Sequence, residues 1–170
     1  SHEVRRHRGN NGELVWRSRI EEPFPEPVAT RNAVLVSAES GRLISLDTES
    51  GEPNWATQIP QTLSVSPGVD ERRSRVYLPG DHSNLYVLSA RDGRCMESFY
   101  IGHREGTVKV PPVSLLGHLF VIENAGSDYA RMHVLRMNDS GEELEPAQPP
   151  FRLSGNVRVP PVVLDRRVIV

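Results

Sequence analysis

Hydrophobic residues in this chain fall in short runs that recur, and polar punctuation recurs with them. Continuous apolar runs stand at Ala33-Val34-Leu35-Val36, Val76-Tyr77-Leu78, Leu119-Phe120-Val121-Ile122 and Val168-Ile169-Val170. Each follows a proline–valine marker: Pro27-Val28, Pro67-Gly68-Val69, Pro111-Pro112-Val113 and Pro160-Pro161-Val162, spaced by 40, 45 and 49 residues. A second run then precedes a glycine: Leu43-Ile44-Ser45-Leu46-Asp47, Leu85-Tyr86-Val87-Leu88 and Met132-His133-Val134-Leu135. The glycines are Gly12, Gly51, Gly93 and Gly141, at intervals of 39, 42 and 48. Trp16 and Trp55 follow their glycines by the same four positions. Short runs of Val, Ile, Leu and Tyr bounded by Gly, Asn, Asp and Ser are strands joined by hairpin turns. No segment sustains the i, i+3, i+4 apolar spacing of a helix.

Two markers sharing one period predict four strands per unit. One lies at the Pro-Val marker, a continuous apolar strand follows, an alternating strand precedes the glycine, and the fourth comes after it. Units of this length with four strands are propeller blades. The expectation is an all-β fold, a β-propeller of four-stranded antiparallel blades, with about three full blades and partial blades at both ends. The full units lie at approximately 21–60, 61–104 and 105–154, with partial ones at 13–20 and 155–170 of a single segment spanning 13–170. Residues 1–12 read as a flexible lead-in, with Ser1-His2 as a tag remnant before the basic Glu3-Val4-Arg5-Arg6-His7-Arg8. The ends suggest a piece of a longer chain, because the segment opens on the last strand of one blade and stops inside the second strand of another. In a small closed ring, the N-terminal strand would have to complete the C-terminal blade, leaving it short of the strand before its glycine turn. Open strand edges favour self-association.

The stretch Ile44-Ser45-Leu46-Asp47-Thr48-Glu49-Ser50-Gly51-Glu52-Pro53-Asn54-Trp55 resembles the repeat of the quinoprotein-like (PQQ-like) propeller family. That repeat runs small residue, any, Asp, three residues, Gly, three residues, Trp. Ser45, Asp47, Gly51 and Trp55 match it, with Ser50 in place of the usual Thr. Gly51 gives the positive φ of a tight turn, Asp47 caps the turn's N–H groups, and Trp55 fills the cleft between blades. In the second copy, Leu88-Ser89-Ala90-Arg91-Asp92-Gly93, Ala90 reads as standing at the Asp position and Glu97 at the Trp position. The third copy keeps only its turn at Gly141, and Gly12 with Trp16 is the tail of an earlier one. The resemblance implies either a non-catalytic interaction scaffold, like those of bacterial envelope assembly, or a segment of a PQQ-dependent dehydrogenase with its site largely outside this chain. It inclines the compartment to the bacterial cell envelope, and its partners to proteins or other domains of the same chain.

Composition narrows the chemistry. A net charge of −2, scattered basic residues and 6% aromatics argue against a nucleic-acid surface. No run approaches the roughly 18 apolar residues of a membrane span, so no direct membrane insertion is expected. A working quinoprotein would need Ca²⁺ on carboxylate and amide side chains, a catalytic Asp and commonly a cysteine pair. Cys95 is alone, which excludes that pair and any intrachain disulfide, and it reads as a small hydrophobe in an apolar strand. The oxygen ligands on offer are Glu123, Asn124 and Asp128 in one longer loop, but Asn-Ala-Gly-Ser-Asp is also ordinary hairpin chemistry. Phe24, between two prolines in Glu21–Glu26, is either a partner anchor or packing between blades, and packing is preferred. His103 and His118 could meet across a blade, though surface or core-edge roles are the simpler reading; Asp81-His82-Ser83 is too compact for a triad. No catalytic, cofactor or metal residue is assigned and no cofactor is expected, PQQ with Ca²⁺ entering only under the dehydrogenase alternative. The loops on the two faces of the disc are where binding is expected, with Phe24, Glu123, Asn124 and Asp128 the candidate interaction residues.

Overall fold

The structure, a computed structural model, describes residues 2–170, so Ser1 of the expected tag remnant lies outside it. Among these residues there are sixteen strands and no helix. Three four-stranded antiparallel sheets follow one another. The first comprises β3 (Val28–Ala29), β4 (Ala33–Ser37), β5 (Arg42–Asp47) and β6 (Pro53–Gln58). The second comprises β7 (Gly68–Asp70), β8 (Arg75–Pro79), β9 (Asn84–Ser89) and β10 (Cys95–Tyr100). The third comprises β11 (Val113–Leu115), β12 (His118–Glu123), β13 (Tyr129–Met137) and β14 (Leu144–Ser154). Each sheet pairs in chain order, as consecutive hairpins must. A two-stranded sheet precedes them, β1 (Glu3–His7) with β2 (Leu14–Arg19), and another follows, β15 (Val162–Leu164) with β16 (Arg167–Ile169). The fold is an open arc of propeller blades, the all-β architecture that the repeat predicts.

The segment read as a flexible lead-in is a strand over Glu3–His7, in register from Glu3 opposite Arg19 to His7 opposite Leu14. Val4 alone turns inward, buried against Trp16, Ile20 and Ile44. One apolar residue in a run of charges hides the alternation. Arg6 helps to fix it, donating from Nη1 to the Thr48 carbonyl at 2.6 Å and pairing with Glu49 at 2.9 Å. This half blade therefore does own the strand that precedes its Gly12 turn, which the sequence reading found missing.

The hydrophobic effect acts at the seams between blades. Leu35, Leu43 and Ile59 of the first full blade pack on Val76, Leu78, Tyr86 and Leu88 of the second. Tyr77, Leu85 and Val87 of the second meet Leu119, Val121 and Leu135 of the third. The middle strands are buried on both faces, which is why they read as unbroken apolar runs, while the last strand of each blade alternates and faces solvent. Gly68 lets β7 approach the Pro112 carbonyl so closely that a Cβ there would sit 2.4 Å from it.

Candidate functional site

The seams are built from one recurring turn. Gly12, Gly51, Gly93 and Gly141 all hold a left-handed backbone, with φ of 73, 75, 73 and 73°. In the first full blade the Gly51 N–H donates to the Asp47 carbonyl at 2.9 Å, and the Asp47 N–H donates to the Glu52 carbonyl at 2.8 Å. Asp47 Oδ1 accepts from the N–H groups of Glu49 and Ser50 at 3.0 and 2.8 Å, and from Ser50 Oγ. Those bonds, the Ser50 N–H and hydroxyl first, hold the Asp47 carboxyl below the usual carboxylate range. A bulge after the turn pairs Leu46 with Pro53 but Ser45 with Trp55, and this slip aims Trp55 at the next blade. There its ring lies on Gly93, where a Cβ would come within 2.4 Å of it, and Nε1 donates to the Ala90 carbonyl at 3.3 Å. Trp16 repeats the arrangement one blade earlier, over Gly51 and onto the Thr48 carbonyl at 2.8 Å. Glycine is needed at both places twice over, for its φ and for the ring above it.

The second and third copies show how this joint varies. The turn bonds of Gly93 run to Ser89, not Ala90: the Gly93 N–H reaches the Ser89 carbonyl at 2.9 Å, and Ser89 Oγ accepts from the Arg91 N–H at 3.3 Å. Ser89 is thus the counterpart of Asp47, and reading Ala90 there was one residue out. Glu97 does stand at the tryptophan position, after the same bulge. Where an indole would donate, its carboxylate accepts, taking the Leu144 N–H at 2.9 Å. Burial pushes the Glu97 carboxyl up, against the pull of that N–H. In the third turn Asn138 replaces Asp one residue closer to its glycine, and nothing lies within 4 Å of where a Gly141 Cβ would be.

The residues singled out as an interaction loop do not converge. Glu123 is buried at the end of β12, with Oε2 3.4 Å from His133 Nε2. Asn124 clamps the next linker, donating to the Val157 carbonyl at 2.9 Å and accepting its N–H at 2.8 Å. Asp128 is exposed, 3.8 Å from Arg152, whose guanidinium lies 4.1 Å above the Tyr129 ring. Phe24 packs against the cluster of Trp16, Val36 and Ile44. His103 is buried, not superficial, with Nε2 donating to the Gly80 carbonyl and Nδ1 without a partner; burial lowers its pKa. His118 is exposed beside Phe120. Asp81 and His82 do bond, but the other nitrogen of His82 faces Gln61. Cys95 is exposed on the outer strand rather than packed, because β10 is the solvent edge of its blade. Glu123, Asn124 and Asp128, each held by a different partner, do not form one oxygen-ligand set of the kind a calcium–quinone centre needs.

One feature the sequence reading missed is a cleft of about 780 Å³ at the seam between the first and second full blades. Arg31 from the β3–β4 hairpin, Arg72 from the β7–β8 hairpin and Arg91 from the β9–β10 turn line it, with Ser45, Asn54 and Trp55. These turns share one face because hairpin partners alternate ends along a meander. Only pairing of the blades reveals that residues 60 positions apart in sequence, Arg31 and Arg91, border one space.

Comparison with known proteins fits this geometry. The family model described as outer membrane protein assembly factor BamB matches residues 1–137. The chain belongs to this family of PQQ-like propellers. The same arc is found in BamB from Moraxella catarrhalis, at 15% identity and a TM-score of 0.58, over 97% of this chain and 62% of that one. It is found in the quinohemoprotein alcohol dehydrogenase from Comamonas testosteroni, at 12% identity and a TM-score of 0.67, over 98% and 36%. A functionally unknown protein from Desulfotomaculum acetoxidans matches at 9% identity and a TM-score of 0.67, over 88% and 48%. At such identities the likeness is one of fold, and the chain spans less than two thirds of each structure. No curated protein matches.

Proposed function

We propose that this chain is a non-catalytic interaction scaffold of the bacterial cell envelope, contributing a rigid face to an assembly with other proteins. The observation that carries this reading is the commitment of its polar side chains to blade seams. Asp47, Glu97 and Asn124 spend their bonds on turn, seam and linker backbone. What remains free is loop surface on a stiff framework, and such surfaces bind partners. Membership of a family described by outer membrane protein assembly supports a role among protein partners in the envelope.

Two measurements test it. Titrating the protein with PQQ and Ca²⁺ should give no shift of the quinone absorbance and no dye-linked alcohol oxidation; either would favour the dehydrogenase reading. A photo-reactive amino acid at exposed turn positions of either face, Asn32 or Asp128, should give adducts with other proteins in cells of the native host. Adducts from neither face would overturn the scaffold.

A further inference from the structure

The inter-blade cleft runs against the charge of the molecule. The chain carries a net charge of −2, yet three arginines line this one space and Glu71 is the only acidic residue among its lining. Glu71 is already engaged, its Oε1 accepting the Arg31 N–H at 2.9 Å, which ties the two hairpins across the cleft. Among the described residues, no carboxylate lies within 4.0 Å of the guanidinium of Arg31, Arg72 or Arg91, so their charges are open to a ligand. A second observation comes from the lining itself. Ser45 is 1% exposed, and its Oγ has no hydrogen-bond partner. Buried hydroxyls are normally satisfied, so an orphan bordering an open space marks a place for a ligand's polar atom. Trp55, held by its bond to the Ala90 carbonyl, makes one wall rigid.

We propose that this cleft binds an acidic peptide segment of a protein partner, its carboxylates on Arg31, Arg72 and Arg91 and a polar backbone group on Ser45. The proposal rests on the scaffold reading and names the partner's chemistry. The three arginines come from three separate turns, which suits carboxylates spread along a chain better than one compact anion. Asn32 and Asn54 add amides that can meet a peptide backbone. The volume falls within the roughly 300–1,000 Å³ of ordinary ligand sites, enough for a short segment. Arginine forks suit carboxylates in pairs of parallel hydrogen bonds.

The test uses a fluorescein-labelled hexapeptide of alternating Asp and Glu, with its Asn–Gln counterpart as control, read by anisotropy and by Trp emission. The acidic peptide should bind and shift the emission, and the amide peptide should not. The triple variant R31A/R72A/R91A should lose about tenfold or more in affinity, since it removes three charge-assisted hydrogen bonds that salt screens but does not abolish. All three side chains are exposed, so its thermal melt should match that of the unsubstituted protein. Arg42→Ala, at the start of β5 and so at the opposite end of the blade, should leave binding unchanged. Ser45→Ala should weaken it without altering the charge. Absent binding, equal binding by the triple variant, or equal displacement by inorganic phosphate would each overturn the proposal. If protein adducts still formed from either face in cells, the scaffold would stand without this site.

Discussion

Glycine at the repeated turns answers two demands that can be separated by substitution. Gly141 needs only its left-handed backbone, with open space where a Cβ would go, so Gly141→Ala should cost about 1 kcal/mol. Gly51 has the same φ, but a Cβ would sit 2.6 Å from the Trp16 ring, and the overpacking should bring Gly51→Ala to roughly 3 kcal/mol. Urea unfolding of the two variants should show this order, and equal losses would mean that the ring yields freely. Glu97 adds a pH term. Burial raises its carboxyl above the usual range, so the folded protein holds that proton more tightly than the unfolded chain does. Its contribution is full below the ordinary glutamate pKa and is lost as pH rises through the higher folded value. Glu97→Gln keeps an oxygen for the Leu144 N–H and removes the charge. The variant should therefore match the unsubstituted protein in acid and exceed it in urea midpoint at neutral pH. A difference that stayed constant with pH would refute the assignment.

At the scale of elements, what could be read in advance depended on how locally each signal is written. The blade period was legible because a glycine, a strand run and a proline marker lie within one unit, and Trp55 matched its motif within four residues of Gly51. β1 was not, because its single inward residue, Val4, sits among charges that satisfy themselves at the surface. In the second copy the turn residue is Ser89 rather than Ala90: the four-residue spacing of Asp47 from Gly51 holds between Ser89 and Gly93, whose N–H reaches the Ser89 carbonyl. Asn124 looked like a ligand and is a clamp between β12 and the linker before β15, a contact 33 residues distant. Asn124→Ala should thus remove two hydrogen bonds, about 1–3 kcal/mol. The loss should appear locally. Hydrogen exchange of β15 and β16 should quicken while β8 and β9 keep their protection, and uniform quickening would contradict a clamp.

Across the whole molecule, the arrangement of sheets makes an argument about association. The half blade β1–β2 holds the turn glycine and the tryptophan, the features of the third and fourth strands of a full blade. The half blade β15–β16 follows the proline marker, as the first and second strands do. No ladder joins the two among the described residues, and each leaves an unpaired strand edge, on β1 and on β16. The apolar cost is concentrated at one of them: Val162, Leu164, Ile169 and Val170 are 60, 54, 51 and 53% exposed. Edges of this kind pair with whatever strand is offered, and in a preparation of these 170 residues alone β1 of another copy is a complementary one. The union would give a four-stranded sheet in the order of the other blades. Light scattering at micromolar concentration should accordingly find more than one 19.0 kDa chain per particle. Ile169→Lys, which sets a charge on the exposed edge, should shift the population toward monomer without changing the melt of the three full blades. A monomer at every concentration would overturn pairing through these edges.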